Sequence, residues 1–155
     1  MSIVEDVEAL RRIPYFATMD SAKLKLLAFT STRVQLAQGG VLCREGEPGD
    51  AAYIVLEGEA DIVVSAEDGR DVVVAHVPRN TFIGEMAVLR NAPRTATVVA
   101  SSGLVALKVS KDAFFQLLRD QPAFAMELMR ELAERLDDTT VQLRDARARL
   151  AALGA

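Results

Sequence analysis

The sequence predicts a mainly β domain with flanking helices. Short Val- and Ile-rich runs of strand length recur every 8 to 12 residues or so, separated by glycines. Those runs lie between about residues 33 and 109. On both sides of them the apolar residues fall at helical spacing instead. At 155 residues, half of them hydrophobic, the chain has the length of one domain and enough apolar surface for a sizeable core. The expected division of this single domain (1–155) is an N-terminal helical segment at 1–32, a β region at 33–109 and C-terminal helices at 110–155.

The elements follow in order. In "EDVEALRRIPYF", Val7 and Leu10, with Ile3, lie on one helical face, and Pro14 stops the helix. "TMDSAKLKLLAFTS" offers Asp20 or Ser21 as an N-cap and Leu24, Leu27 and Ala28 as an apolar stripe. The strand-like runs are "AAYIVL", "ADIVV", "DVVVAHV", "TATVVA" and "LVALKV", and their spacing predicts an antiparallel sandwich or small barrel. Residues 82 to 93 interrupt that texture with helix formers, which predicts one or two helical turns. A helix in "SKDAFFQLLRD" starts at Ser110 and stops before Pro122. A long helix without Gly or internal Pro follows. Along it Ala125, Met129, Leu132, Leu136, Thr139, Leu143, Ala146, Leu150 and Leu153 recur at alternating steps of four and three. That is a heptad seam. Packing on its own domain accounts for the first half. The second half predicts a parallel homodimer through residues 123–153.

Composition removes several function classes. The net charge of −4 gives no whole-chain basic field for nucleic acid. A single cysteine, Cys43, allows no intrachain disulfide and fits a reducing, cytoplasmic setting, with Cys43 itself as a small core residue. No run approaches the 18 or so apolar residues of a membrane span, and the N-terminus carries acids where a signal peptide carries bases. The one histidine, His76, reads as a satisfied structural residue near a strand end. A metal-dependent enzyme on a similar β fold needs two or more histidines and a carboxylate. No catalytic residue, metal site or cofactor is expected.

The chemistry concentrates in "FIGEMAVLRNAPRTATVVA", residues 82 to 100. Gly84, Glu85, Met86 and Ala87 stand where a short helix begins. Helix N-termini carry unpaired N–H groups and partial positive charge, and bind anions. Arg94 can add a bidentate, charge-assisted contact to a phosphate, and Thr95 a hydroxyl. Glu85 would repel a phosphate but accept a hydrogen bond from a sugar hydroxyl. The alternative is a plain Glu85–Arg94 ion pair pinning two elements, and spacing does not choose between the two.

This stretch resembles the phosphate-binding cassette of the cyclic nucleotide-binding domain family, which includes the sensors of catabolite-activator-type regulators and protein kinase A regulatory subunits. The match covers "FIGEMAVL" and "PRTATV". "REGEPGDAAYIVLEGEADI" is similar to that family's glycine-marked β-roll, and "IPYFATMDSAKLKLLA" to its helical lead-in. The resemblance implies a double-stranded β-helix, an eight-stranded jelly-roll-like β-roll, with the cassette at 82–97. It implies that Glu85 binds the ribose 2′-hydroxyl. Gly84, Met86 and Ala87 would present backbone to sugar and phosphate. Arg94 would pair with the cyclic phosphate, with Thr95 assisting.

"LAERLDDTTVQL" resembles the dimer helix of the catabolite-activator type, so Thr139 and Thr140 are carried over as adenine contacts; seam or surface threonines are the other reading. A Thr after the cassette arginine favours guanine in some family members. The threonine pair favours cAMP, with cGMP the second candidate. No helix-turn-helix DNA-binding domain and no membrane partner are expected within these 155 residues. The expected function is a ligand-controlled regulatory switch, not an enzyme, acting on an effector protein that the sequence does not identify. The alternative is a structural dimerisation module whose pocket does not bind.

Overall fold

The computed structural model describes residues 3–154, so the expected domain limits at Met1 and Ala155 lie outside the described residues. Helix α1 (Ile3–Arg11) buries Val7 and Leu10. It ends two residues before the expected stop. Ile13 is already extended at φ −92°, ψ 127°, as a residue preceding proline should be, and Pro14 opens a 3-10 turn (Pro14–Phe16). Helix α2 (Ser21–Thr30) is capped by Asp20, whose carboxylate accepts from the Ala22 N–H, and it buries Leu24, Leu27 and Ala28.

Eight strands follow: β1 (Thr32–Leu36), β2 (Val41–Cys43), β3 (Ala51–Glu57), β4 (Ala60–Ser65), β5 (Asp71–Val77), β6 (Thr81–Ile83), β7 (Thr97–Ala100) and β8 (Leu104–Ser110). They form two antiparallel four-stranded sheets, ordered β1-β8-β3-β6 and β2-β7-β4-β5. The chain crosses between sheets repeatedly, as a jelly-roll-like β-roll requires. Helix α3 (Glu85–Arg90) interrupts the strands between β6 and β7. Helix α4 (Lys111–Asp120) is capped by the Ser110 hydroxyl, which accepts from the Ala113 N–H, and helix α5 runs unbroken from Pro122 to Gly154.

Two apolar cores result. One lies inside the roll, where Tyr53, Val55, Ala60, Val98, Leu104 and Ala106 meet. The other joins the outer side of β3 and β8 to the helices, centred on Phe16, Phe82, Phe114 and Phe124. Those rings lie 5.6–6.3 Å apart between centroids where they touch, in stacked, edge and tilted arrangements. Strand β3 divides the cores. Ala52, Ile54 and Leu56 face the helices while Tyr53 and Val55 face the roll interior, as a period of two dictates.

The long helix packs on this second core through Phe124 and Leu128, with Leu132 partly covered. That face is offset from the predicted seam, so Met129 and Leu136 point outward at 56% and 69% exposure. Every residue from Leu136 to Gly154 is exposed. Among the described residues, no helix is long and apolar enough to cross a membrane.

Candidate functional site

Local backbone requirements build the site. Strand β6 ends at Ile83, and Gly84 turns the chain at φ +82°, in the left-handed region that only glycine enters freely. A Cβ on Gly84 would also stand 2.7 Å from Arg94 Nη1, so the glycine makes room for the guanidinium as well as the turn. Gly49 does the same for α3: a Cβ there would meet the Ala87 Cβ at 2.4 Å and its backbone carbon at 2.7 Å. The first N–H groups of α3, around Glu85, Met86 and Ala87, have no acceptor within the helix. Asn91 closes that helix in the left-handed conformation at φ +50°, and its side-chain oxygen accepts from Lys111 Nζ at 2.8 Å.

Arg94 is clamped at both ends. Its backbone N–H donates to the Glu47 carbonyl and its carbonyl accepts from the Gly46 N–H, each at 2.8 Å. Its side chain runs inward and is only 6% exposed. Nη1 donates to the Gly84 carbonyl at 3.0 Å and Nη2 to the Ala51 carbonyl at 2.5 Å. The guanidinium lies 5.6 Å from the Tyr53 ring centroid, within cation–π range. Among the described residues no carboxylate pairs with it. The acceptors holding this buried charge are neutral.

Glu85 takes a different partner. It is 1% exposed, and its Oε1 accepts from Arg135 Nη1 at 2.5 Å. The Glu85–Arg94 ion pair considered from spacing therefore does not form: carbonyls take the arginine and α5 supplies the partner of the acid. Arg135 Nη2 donates to Glu131 Oε1 at 2.6 Å, and the other oxygen of Glu131 accepts from the Tyr15 hydroxyl. Burial works against the Arg135 charge, but Glu85 and Glu131 outweigh it and leave its pKa raised. Burial, then the contact with Glu131, pushes the Tyr15 phenol well above its usual range.

These groups border a cleft of about 380 Å³. Its lining includes Gly84, Glu85, Met86, Ala87, Arg94 and Thr95, so six of the eight residues singled out from sequence are brought together. Across β7, β4 and β5, Val98, Ile62 and Ala75 are register neighbours and form an apolar floor, extended by Val77 and Ile83. Cys43 lies there too, buried in the roll core, and burial raises its thiol pKa. His76 is paired at the edge: Nδ1 lies 3.0 Å from Asp61 Oδ1 and Nε2 3.4 Å from Glu59 Oε1. Among the described residues, no group of three or more His, Cys, Asp or Glu is placed to hold a metal ion.

Thr139 and Thr140 are not in the cleft of this chain. Both are exposed on α5 beyond Arg135, and the Thr140 hydroxyl donates back to the Leu136 carbonyl at 2.9 Å. Conversely, Arg135 lines the cleft and was missed from sequence. Its only local signal is Glu131 four residues before it, a spacing that ordinary surface pairs share.

The sequence profile of the cyclic nucleotide-binding domain matches residues 33–121. The chain belongs to the cyclic nucleotide-binding domain family. A CRP-like cAMP-activated global transcriptional regulator from Mycobacterium tuberculosis is 29% identical over 138 residues, which is 89% of this chain and 62% of that protein. A cAMP-dependent protein kinase regulatory subunit from Yarrowia lipolytica is 36% identical over 109 residues, 70% of this chain and 28% of that one. The chain thus spans less than two thirds of either relative. Among solved structures, the N-terminal domain of a transcriptional regulator from Streptomyces coelicolor superposes with a TM-score of 0.66 at 35% identity, covering 84% of this chain and 94% of that one. The two-sheet roll with helices at both ends is the architecture expected of a cyclic nucleotide-binding domain.

Proposed function

We propose that this cyclic nucleotide-binding domain takes cAMP in preference to cGMP and acts as a ligand-controlled regulatory switch rather than an enzyme. The carrying observation is Arg94: a buried guanidinium in a cleft, held by two carbonyls and by no carboxylate among the described residues. An uncompensated buried charge costs several kcal/mol. A cyclic phosphodiester brings the missing negative charge, and the backbone around Gly84, Met86 and Ala87 together with the Thr95 hydroxyl adds donors to it. Glu85 accepts from the ribose 2′-hydroxyl, and the Val98–Ile62–Ala75 floor receives the face of the base. The preference for cAMP is supported by the two relatives, whose names both specify it.

The exposed second half of α5 supports a homodimer in which the leucine stripe is covered. In that dimer Thr139 and Thr140 are base contacts brought to a cleft by helix pairing. The switch works in the cytoplasm through a separate effector, which reads the arrangement of α5. The competing reading, a dimerisation module that binds no nucleotide, is favoured by one observation: Glu85 already has a cationic partner in Arg135.

A thermal-shift and calorimetric titration with cAMP, cGMP and linear AMP separates the two. A one-site binder at 100 times its dissociation constant gains about 2.7 kcal/mol of stability. We expect cAMP to raise the melting temperature most and linear AMP least, and Arg94→Ala to abolish the shift with the fold retained. No shift at millimolar nucleotide would leave the dimerisation module as the answer.

A further inference from the structure

A line of polar contacts runs from the N-terminal helical segment to the sugar side of the cleft. Tyr15 sits in the 3-10 turn, 5% exposed, with its ring 5.5 Å from Phe82 and 5.6 Å from Phe124 between centroids. Its hydroxyl donates to Glu131 of α5. Glu131 uses both oxygens, one for Tyr15 and one for Arg135. Arg135 then forks, one nitrogen to Glu131 and the other to Glu85. The orientation of the Glu85 carboxylate therefore depends on Arg135, that of Arg135 on Glu131, and that of Glu131 on a phenol contributed from outside the roll.

We infer that Tyr15 is a positioning residue for the ribose site: it touches no ligand, but through Glu131 and Arg135 it sets how well Glu85 holds a 2′-hydroxyl. This rests on the reading of Glu85 given above. Without the phenol, Glu131 has a free oxygen. It draws Arg135 toward itself, and the carboxylate of Glu85 loses its fixed aim. Such an effect is specific to one ligand group, whereas loosened packing weakens every ligand alike.

The test measures the affinities of wild type and Tyr15→Phe for cAMP and for 2′-deoxy-cAMP, which lacks the hydroxyl. Wild type should prefer cAMP. Tyr15→Phe, which keeps the ring and its packing, should lose about three- to tenfold in affinity for cAMP and less than about twofold for the 2′-deoxy ligand, the tenfold end corresponding to one charge-assisted hydrogen bond. Glu131→Gln should show the same selective loss. If wild type prefers cAMP but Tyr15→Phe weakens both ligands equally, or neither, the role of Tyr15 is overturned. If wild type does not distinguish the two ligands, the inference falls with the reading of Glu85, and the failure lies at the acid rather than at the tyrosine.

Discussion

Gly84 and Arg94 are bound to each other by contact as well as by a shared role. Any side chain at Gly84 meets the guanidinium at 2.7 Å and must also tolerate φ +82°. Gly84→Ala should therefore cost about 1–2 kcal/mol for the left-handed backbone alone. It should also displace Arg94 and lower cyclic nucleotide affinity at least tenfold; denaturant unfolding and calorimetry read the two effects separately. His76 offers a cleaner probe, because the chain has one histidine. Hydrogen bonds to Asp61 and then Glu59 raise its pKa. The pairing is complete below the histidine's ordinary pKa and is lost as pH rises through the raised one. An NMR titration should place the midpoint above the usual histidine value, and Asp61→Asn should bring it down.

At the level of elements, the five aromatic rings of Tyr15, Phe16, Phe82, Phe114 and Phe124 join the N-terminal segment, β6, α4 and α5. Phe124 is fully buried and touches the other four, so Phe124→Ala should destabilise the fold by about 3–5 kcal/mol in chemical unfolding. It should also free the start of α5 from the roll. The sequence made some elements plain and hid others for physical reasons. Five strands carry long enough Val- and Ile-rich runs to be read directly. Strands β2 and β6 have three residues each, too few for a period; the family resemblance implied eight strands without placing either of these. Gly84, Glu85 and Arg94 stood out because the backbone turn and both charges fall within one short stretch, but spacing left an ion pair open and the family resemblance supplied their roles. Arg135 was not, because its partner lies 50 residues away and long-range pairing leaves no local pattern. Gly49 lies among the glycines that separate the strand-like runs, and nothing in that spacing signals that what it provides is room for Ala87.

For the whole molecule, the unsettled surface is the outer half of α5. Leu136, Leu143, Leu150 and Leu153 are 69%, 52%, 68% and 84% exposed, a stripe that a second helix would cover. Under the proposed pairing, wild type is expected to run as a dimer in sedimentation equilibrium and a Leu143→Glu, Leu150→Glu double variant as a monomer; a monomeric wild type would overturn the pairing. The roll should remain folded, since none of its core side chains comes from that region. Should Thr139 and Thr140 reach the base only across such a pair, the same variant should also weaken cAMP binding while leaving Arg94 in place.

Because α5 continues without a break past Arg135, under the proposed switch its outer part would act as a lever pivoting at the cleft. From Leu136 to Gly154 it extends about 28 Å at 1.5 Å per residue, so a tilt of about 10° at the pivot would swing the tip by about 5 Å. A sub-ångström adjustment around one carboxylate would thereby become a displacement large enough for another protein to detect.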